Sequence, residues 1–100
     1  MAAPTKAQGN LLLKLARKAI EEAFKHKTVK VATAVRRQKV FQQQPGVFVT
    51  LLKNGELRGS VGYPEGTYPL IDAVVRAARD AAFNDPRFKA VKKSGLQQLR

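Results

Sequence analysis

The 100-residue chain is strongly basic, with 19 Lys and Arg against seven Asp and Glu and a formal net charge of +12. Its length suits one small domain over residues 1–100, and the absence of cysteine excludes disulfides, thiolate metal sites and a cysteine nucleophile. No apolar run reaches the roughly 18 residues of a membrane span, and the N-terminus lacks a secretory pattern, so we expect a cytoplasmic protein without a membrane partner.

The first predicted element is an amphipathic helix from about residue 6 to about residue 26. The segment Thr5-Lys6-Ala7-Gln8 fits a capping box, in which the Thr5 hydroxyl and the Gln8 side chain satisfy free backbone amides. Apolar residues then recur at helical spacing and predict one buried face. They are Leu12, Leu13, Ala16, Ile20, Ala23 and Phe24.

Residues 28–44 predict a basic loop that contains one short strand. The run from Thr28 to Thr33 alternates weakly between polar and apolar residues, as a strand would. Pro45 then ends the pattern, because the residue before a proline is pushed out of the helical region.

Residues 46–63 predict a central β-hairpin. The run 47–52 is rich in β-branched and aromatic residues, and Asn54-Gly55 is the strongest short signal for a hairpin turn. The return strand contains Gly59 and Gly62, and glycine inside a strand usually marks a bulge or a close backbone approach.

A second helix is predicted over residues 70–83. Its polar stripe should be joined by ion pairs at helical spacing, between Asp72 and Arg76 and between Arg76 and Asp80. Asp85 is expected to cap the following turn, with Phe88 inserted into the core, before a basic tail at 89–100. The predicted fold class is α+β, a short antiparallel sheet packed against two helices.

Several stretches together resemble the AMMECR domain family, which is named after a human chromosomal-deletion syndrome. They are Gly46-Val47-Phe48-Val49-Thr50-Leu51, Asn54-Gly55-Glu56-Leu57-Arg58-Gly59-Ser60-Val61-Gly62, the run from Leu70 to Phe88, and the first helix. The resemblance implies antiparallel strands flanked by helices. It leaves the function open, since proposals for the family range from enzyme to nucleic-acid or protein binding.

Two departures from the family pattern affect what the resemblance implies. Ser60 stands where the family usually has a cysteine, so a thiol-based activity is not expected here. The match covers about the N-terminal half of the family domain, as in a fragment or in a shortened relative. In a shortened relative, neighbouring proteins would cover an open sheet edge.

The charge pattern predicts RNA binding through the phosphate backbone, as in a peripheral component of the ribosome or another ribonucleoprotein. No acidic residue interrupts the run from Lys25 to Lys39, and phosphate contacts provide affinity without reading bases. Most aromatic residues are expected in the core, and Phe41, Tyr63 and Tyr68 are the candidates for base stacking. The expected phosphate contacts are Lys25, Lys27, Lys30, Arg36, Arg37 and Lys39, with Lys89, Lys92 and Lys93 as a second group.

Two alternatives stay open. An enzyme or small-ligand protein could have its pocket at Arg58, Gly59, Ser60 and Gly62, with Arg87 nearby, although the same glycines suit a bulged strand packed on the second helix. A protein-interaction module could receive a partner strand at the sheet edge. The only histidine lacks an evident partner, so we predict no catalytic residue, no metal site and no cofactor.

Overall fold

A computed structural model describes residues 4–90, and these form four helices and one two-stranded antiparallel sheet. The predicted α+β class is confirmed, and the apolar residues of both kinds of element meet in one core. In chain order the elements are α1 (Lys6–Ala23), α2 (Thr33–Arg36), α3 (Lys39–Gln42), β1 (Val47–Lys53), β2 (Glu56–Tyr63) and α4 (Leu70–Phe83).

Helix α1 begins with the predicted capping box. The Gln8 amide donates to the Thr5 hydroxyl at 3.1 Å, and the Thr5 amide donates to the Gln8 side-chain oxygen at 2.9 Å. The helix ends at Ala23 rather than at about residue 26, because the chain turns there and His26 adopts a left-handed φ of 57°. This turn directs the following residues back along α1.

Residues 28–42 differ from the prediction. The expected strand at 28–33 is wrong, since Val29 and Val31 pack partly against the core and the only sheet in residues 4–90 has two strands. The segment instead ends in the two short helices α2 and α3, which the sequence did not predict. Helix α3 buries Val40 and Phe41, so packing rather than periodicity explains its position.

The hairpin and its turn are confirmed. Asn54 and Gly55 have φ values of 53° and 82°, the paired positive angles of a tight hairpin turn. Leu51 pairs with Gly59 and Leu52 pairs with Leu57, so Arg58 is the extra residue of a β-bulge.

The inner face of the hairpin packs on the alanine-rich face of α4. Val47 and Leu51 are buried from the strand side, and Ala77, Ala78 and Ala81 are buried from the helix side. A methyl group added at Gly59 would lie 2.0 Å from the Ala81 carbonyl oxygen. Strand and helix backbones are therefore in direct contact, which only glycine permits.

The outer face of the hairpin is uncovered in the described part of the chain. Phe48 is 78% exposed there, so it departs from the expectation that the aromatic residues other than the stacking candidates lie in the core. Phe41, by contrast, was a stacking candidate and is fully buried. Both faces of β1 carry apolar residues, so the alternation could not indicate which one is buried.

Candidate nucleic-acid interface

A basic cleft of about 950 Å³ lies between α1 and residues 26–30, and we call it the lysine cleft. Lys14 and Lys18 line it from α1, where their spacing of four residues places them on one helix face. Lys27 and Lys30 line it from the chain that returns after the turn at His26. Glu22 is the one carboxylate among the lining residues, so the cleft is strongly positive.

The single carboxylate of the lysine cleft is already paired. Its Oε1 atom lies 3.3 Å from Lys18 Nζ and 4.0 Å from Lys25 Nζ. Lys18 and Glu22 form the i, i+4 pair that helix geometry favours. Within residues 4–90, no carboxylate lies within ion-pair distance of Lys14, Lys27 or Lys30. Their charges remain available to an anionic partner.

The other predicted phosphate contacts are dispersed. Arg36 pairs with Asp72 at 2.8 Å, so part of its charge is neutralised within the chain. Arg37 and Lys39 are exposed beside Gln38, whose side chain accepts a hydrogen bond from Gln8 on α1. The structure thus brings two of the predicted residues, Lys27 and Lys30, into one cleft. Lys89 lies beside Arg58, and Lys92 and Lys93 lie outside the described residues.

Lys14 and Lys18 line the cleft but are not among the predicted phosphate contacts. Their spacing with Glu22, four residues at each step, does indicate a common helix face. The turn at His26 brings Lys27 and Lys30 to that same face. The sequence did not predict this turn, so it could not show that the four lysines meet.

Two of the predicted pocket residues, Ser60 and Arg87, contact a buried carboxylate, Asp85. It is 5% exposed and accepts hydrogen bonds from the Ser60 amide at 2.9 Å and the Arg87 amide at 3.0 Å. The Arg87 guanidinium donates to both carboxylate oxygens, at 3.2 and 2.9 Å. These bonds, the one from the Arg87 side chain above all, hold the pKa of Asp85 well below its usual value. Asp85 therefore caps the turn after α4, as predicted, and also ties it to β2.

The two glycines of the candidate pocket serve packing. Gly59 faces the Ala81 carbonyl, and a methyl group at Gly62 would lie 2.6 Å from the Val47 carbonyl oxygen. The space beside each glycine is filled by the protein's own backbone, so the geometry favours the structural interpretation of this segment over a ligand pocket.

Arg58 and Ser60 also have contacts within the chain, although Arg58 Nη1 is buried without a hydrogen-bond partner. Arg58 donates to the Lys89 carbonyl at 2.5 Å and lies 5.7 Å from the Phe88 ring centroid. The Ser60 hydroxyl is 3.1 Å from the Thr50 hydroxyl across the hairpin. Phe88 is half-buried between the guanidinium groups of Arg58 and Arg87 rather than inserted fully into the core.

Comparison with known proteins identifies the family. The sequence model of the AMMECR1 family matches residues 13–100. The chain belongs to the AMMECR1 family. The resemblance seen in the hairpin, in α4 and in the Asp85 turn is thereby confirmed, and the match also includes most of α1.

Curated relatives of this AMMECR1-family chain occur in archaea. A protein of Methanothermobacter thermautotrophicus is 47% identical over 93 residues, which are 92% of this chain and 47% of the relative. A protein of Thermococcus kodakarensis is 38% identical over 96 residues, 91% of this chain and 46% of the relative. The chain thus spans a little under half the length of these relatives.

A solved structure has the same fold. The crystal structure of an uncharacterised protein from Pyrococcus horikoshii superposes with a TM-score of 0.80 and 37% sequence identity. The alignment covers 89% of this chain and 46% of that one. The hairpin and helices of the AMMECR1-family chain therefore correspond to about half of that longer structure. Within residues 4–90, no helix has the length and apolar character to cross a membrane.

Proposed function

We propose that this AMMECR1-family chain binds structured RNA through the phosphate backbone, with the lysine cleft as the main contact. The supporting observation is that Lys14, Lys18, Lys27 and Lys30 line one cleft whose single carboxylate is already paired. Lys18 is the partner of that carboxylate, so the free charges are those of Lys14 on α1 and of Lys27 and Lys30 on the returning chain, and these can neutralise phosphates of a bound strand. With a net charge of +12, the chain as a whole attracts polyanions from solution.

The positions of the aromatic residues favour binding to the phosphate backbone of the RNA over stacking on its bases. Phe41, a stacking candidate, is fully buried. Tyr63 and Tyr68 pack edge to face with ring centroids 5.2 Å apart, so each covers part of the other. The three predicted stacking candidates are thus buried or partly covered, which favours contacts to phosphates over contacts to bases.

The affinity for RNA should depend steeply on salt. Contact with about five phosphates gives a log–log slope of about −3.5 to −4.5 between the association constant and the KCl concentration. Fluorescence anisotropy with a labelled RNA hairpin measures the slope. A value near zero would reject binding through phosphates.

Substitutions in the lysine cleft should reduce this slope. Replacing both Lys27 and Lys30 by glutamine removes two cations, so we expect the slope to fall by about 1.4–1.8 in magnitude. The control variant, Lys6→Gln with Lys53→Gln, changes the net charge equally at exposed positions outside the cleft. Equal effects of the two variants would show that overall charge, and not the cleft, binds RNA.

We further propose that the RNA belongs to a cytoplasmic ribonucleoprotein such as the ribosome, with the chain at its periphery. Sedimentation of native lysate on a density gradient tests this. The chain should move with ribosomal particles and should be released by RNase. A chain that remains at the top of the gradient without nucleic acid would contradict the proposal.

A second candidate function, binding of a protein partner, is supported by the outer face of the hairpin. Phe48, Leu57 and Leu52 are 78%, 45% and 36% exposed, and Leu52 and Leu57 are cross-strand neighbours. Adjacent exposed apolar residues of this kind are typical of interaction sites.

Changing Phe48 and Leu57 to serine should reduce binding of the dye ANS several-fold and leave the melting temperature nearly unchanged, because both side chains are exposed. Leu13 on α1 is 72% exposed, so its prediction as part of the buried face was wrong, and Leu13→Ser is the control that should have a smaller effect. A wild-type chain that binds no dye would remove the support for this second function.

A further inference from the structure

The polar stripe of α4 does not form the ion pairs that its spacing predicts. Asp72 pairs with Arg36 at 2.8 Å. Asp80 accepts hydrogen bonds from the Tyr63 hydroxyl and, at 2.8 Å, from the Asn84 side-chain amide. Both carboxylates of the stripe thus have partners other than Arg76 and Arg79. Within the described part of the chain, no carboxylate lies within ion-pair distance of either arginine.

Arg76 and Arg79 line a second cleft, which lies between the end of α1 and α4 and which we call the arginine cleft. Its volume is about 540 Å³, within the range of small-molecule sites. Phe24 from the end of α1 and Phe83 from α4 form an apolar wall, with ring centroids 5.3 Å apart and an edge-to-face angle of 83°. The cleft therefore combines two cations and one carboxylate, Asp80, with an aromatic surface.

Arg76, Tyr63 and Asp80 in the arginine cleft each have a contact within the chain. The Arg76 guanidinium lies 4.4 Å from the centroid of the Tyr68 ring, which limits its movement. Burial and the hydrogen bond to Asp80 raise the pKa of Tyr63 to about 12, so the hydroxyl stays protonated and occupies the carboxylate at neutral pH. Asp80 thus has hydrogen-bond partners other than the two arginines.

We propose that the arginine cleft binds a small phosphate-bearing ligand of the nucleoside monophosphate class. Arg76 and Arg79 would bind the phosphate, since the planar guanidinium matches phosphate oxygens with two parallel hydrogen bonds. Phe24 and Phe83 would contact the base. This site is distinct from the lysine cleft, with which it shares only His26 among the lining residues, and it does not depend on RNA binding.

Titration of AMP into the full chain at near-physiological salt, followed by NMR chemical shifts, tests the proposal. The wild-type chain should saturate with AMP, and adenosine should bind at least about tenfold more weakly because it lacks the phosphate. Arg79→Gln and Arg76→Gln should each weaken AMP binding about tenfold. The matched control is Arg37→Gln, an equal charge change at an exposed residue outside the cleft, and it should stay within about twofold of wild type.

Further variants separate a structured site from general attraction and from loss of folding. Arg79→Lys keeps the charge without the planar fork and should give an intermediate loss, while thermal melting confirms that each variant folds. Binding that does not saturate, or that falls equally in Arg37→Gln, would overturn the proposal. The variant Lys27→Gln with Lys30→Gln should weaken RNA binding and leave AMP binding unchanged. If this variant weakens AMP binding as well as RNA binding, the arginine site fails and the RNA proposal stands.

Discussion

Replacing Gly59 by alanine is expected to lower the melting temperature of the chain by more than about 10 °C. The added methyl carbon would lie 2.0 Å from the Ala81 carbonyl oxygen and 3.0 Å from its carbonyl carbon. Both atoms belong to the backbone of α4, so no side-chain rotation relieves the overlap, and strand and helix must separate. Separation would loosen the packing of Val47 and Leu51 on the helix. Circular dichroism melting curves measure the effect.

A second glycine provides the control for this prediction. Gly9 lies within α1, and a methyl group there would meet nothing within 4 Å. Alanine at Gly9 should therefore raise the stability by about 0.5–1 kcal/mol, since it lowers the entropy of the unfolded chain and suits a helix. If Gly59→Ala melted like the wild type, β2 and α4 could not be in direct backbone contact.

Asp85→Ala is expected to lower the melting temperature by about 5–10 °C. The substitution leaves the Ser60 amide and the Arg87 guanidinium without the acceptor that now joins β2 to the turn after α4. Glu65→Ala, at an exposed carboxylate, is the control and should change the melting temperature by only a degree or two. Equal effects of the two substitutions would mean that Asp85 contributes no more than surface charge.

The contribution of Asp85 should also depend on pH in a defined direction. Its pKa in the folded chain lies below the 3.8 of an ordinary aspartate, so folding favours the ionised form. The stabilisation is complete above about pH 5 and declines as the pH falls through 3.8 toward the folded pKa. The difference in stability between wild type and Asp85→Ala should therefore narrow between about pH 5 and pH 2. A difference that widened on acidification would contradict this assignment.

Local signals predicted the regular part of the fold well. The capping box at Thr5 and Gln8, the Asn54-Gly55 turn and the apolar run of α4 each depend on neighbours in the sequence, and each is confirmed. Helices α2 and α3 have only four residues each and lack a side-chain cap, so no periodic pattern indicates them. The position of α3 is explained by the packing of Phe41 in the core, a tertiary contact that the sequence alone could not show.

The candidate sites were less predictable because their residues meet through tertiary contacts. Helical spacing favoured pairs between Arg76 and the two aspartates of α4, yet Arg36 and Tyr63 reach those aspartates from other elements. A weak surface pair at helical spacing contributes only a few tenths of a kcal/mol, so a better-placed partner readily replaces it. The positions of such partners depend on the whole fold.

The hydrogen bond between Asp85 and the Ser60 amide also determines how the sheet can grow. It requires the amide to point away from β1, on the free side of β2. An added strand at β2 would have to compete with a buried carboxylate for that amide. By the same geometry the Thr50 amide, opposite Ser60, points outward from β1. Any extension of this sheet is therefore expected to proceed from β1, in one direction only.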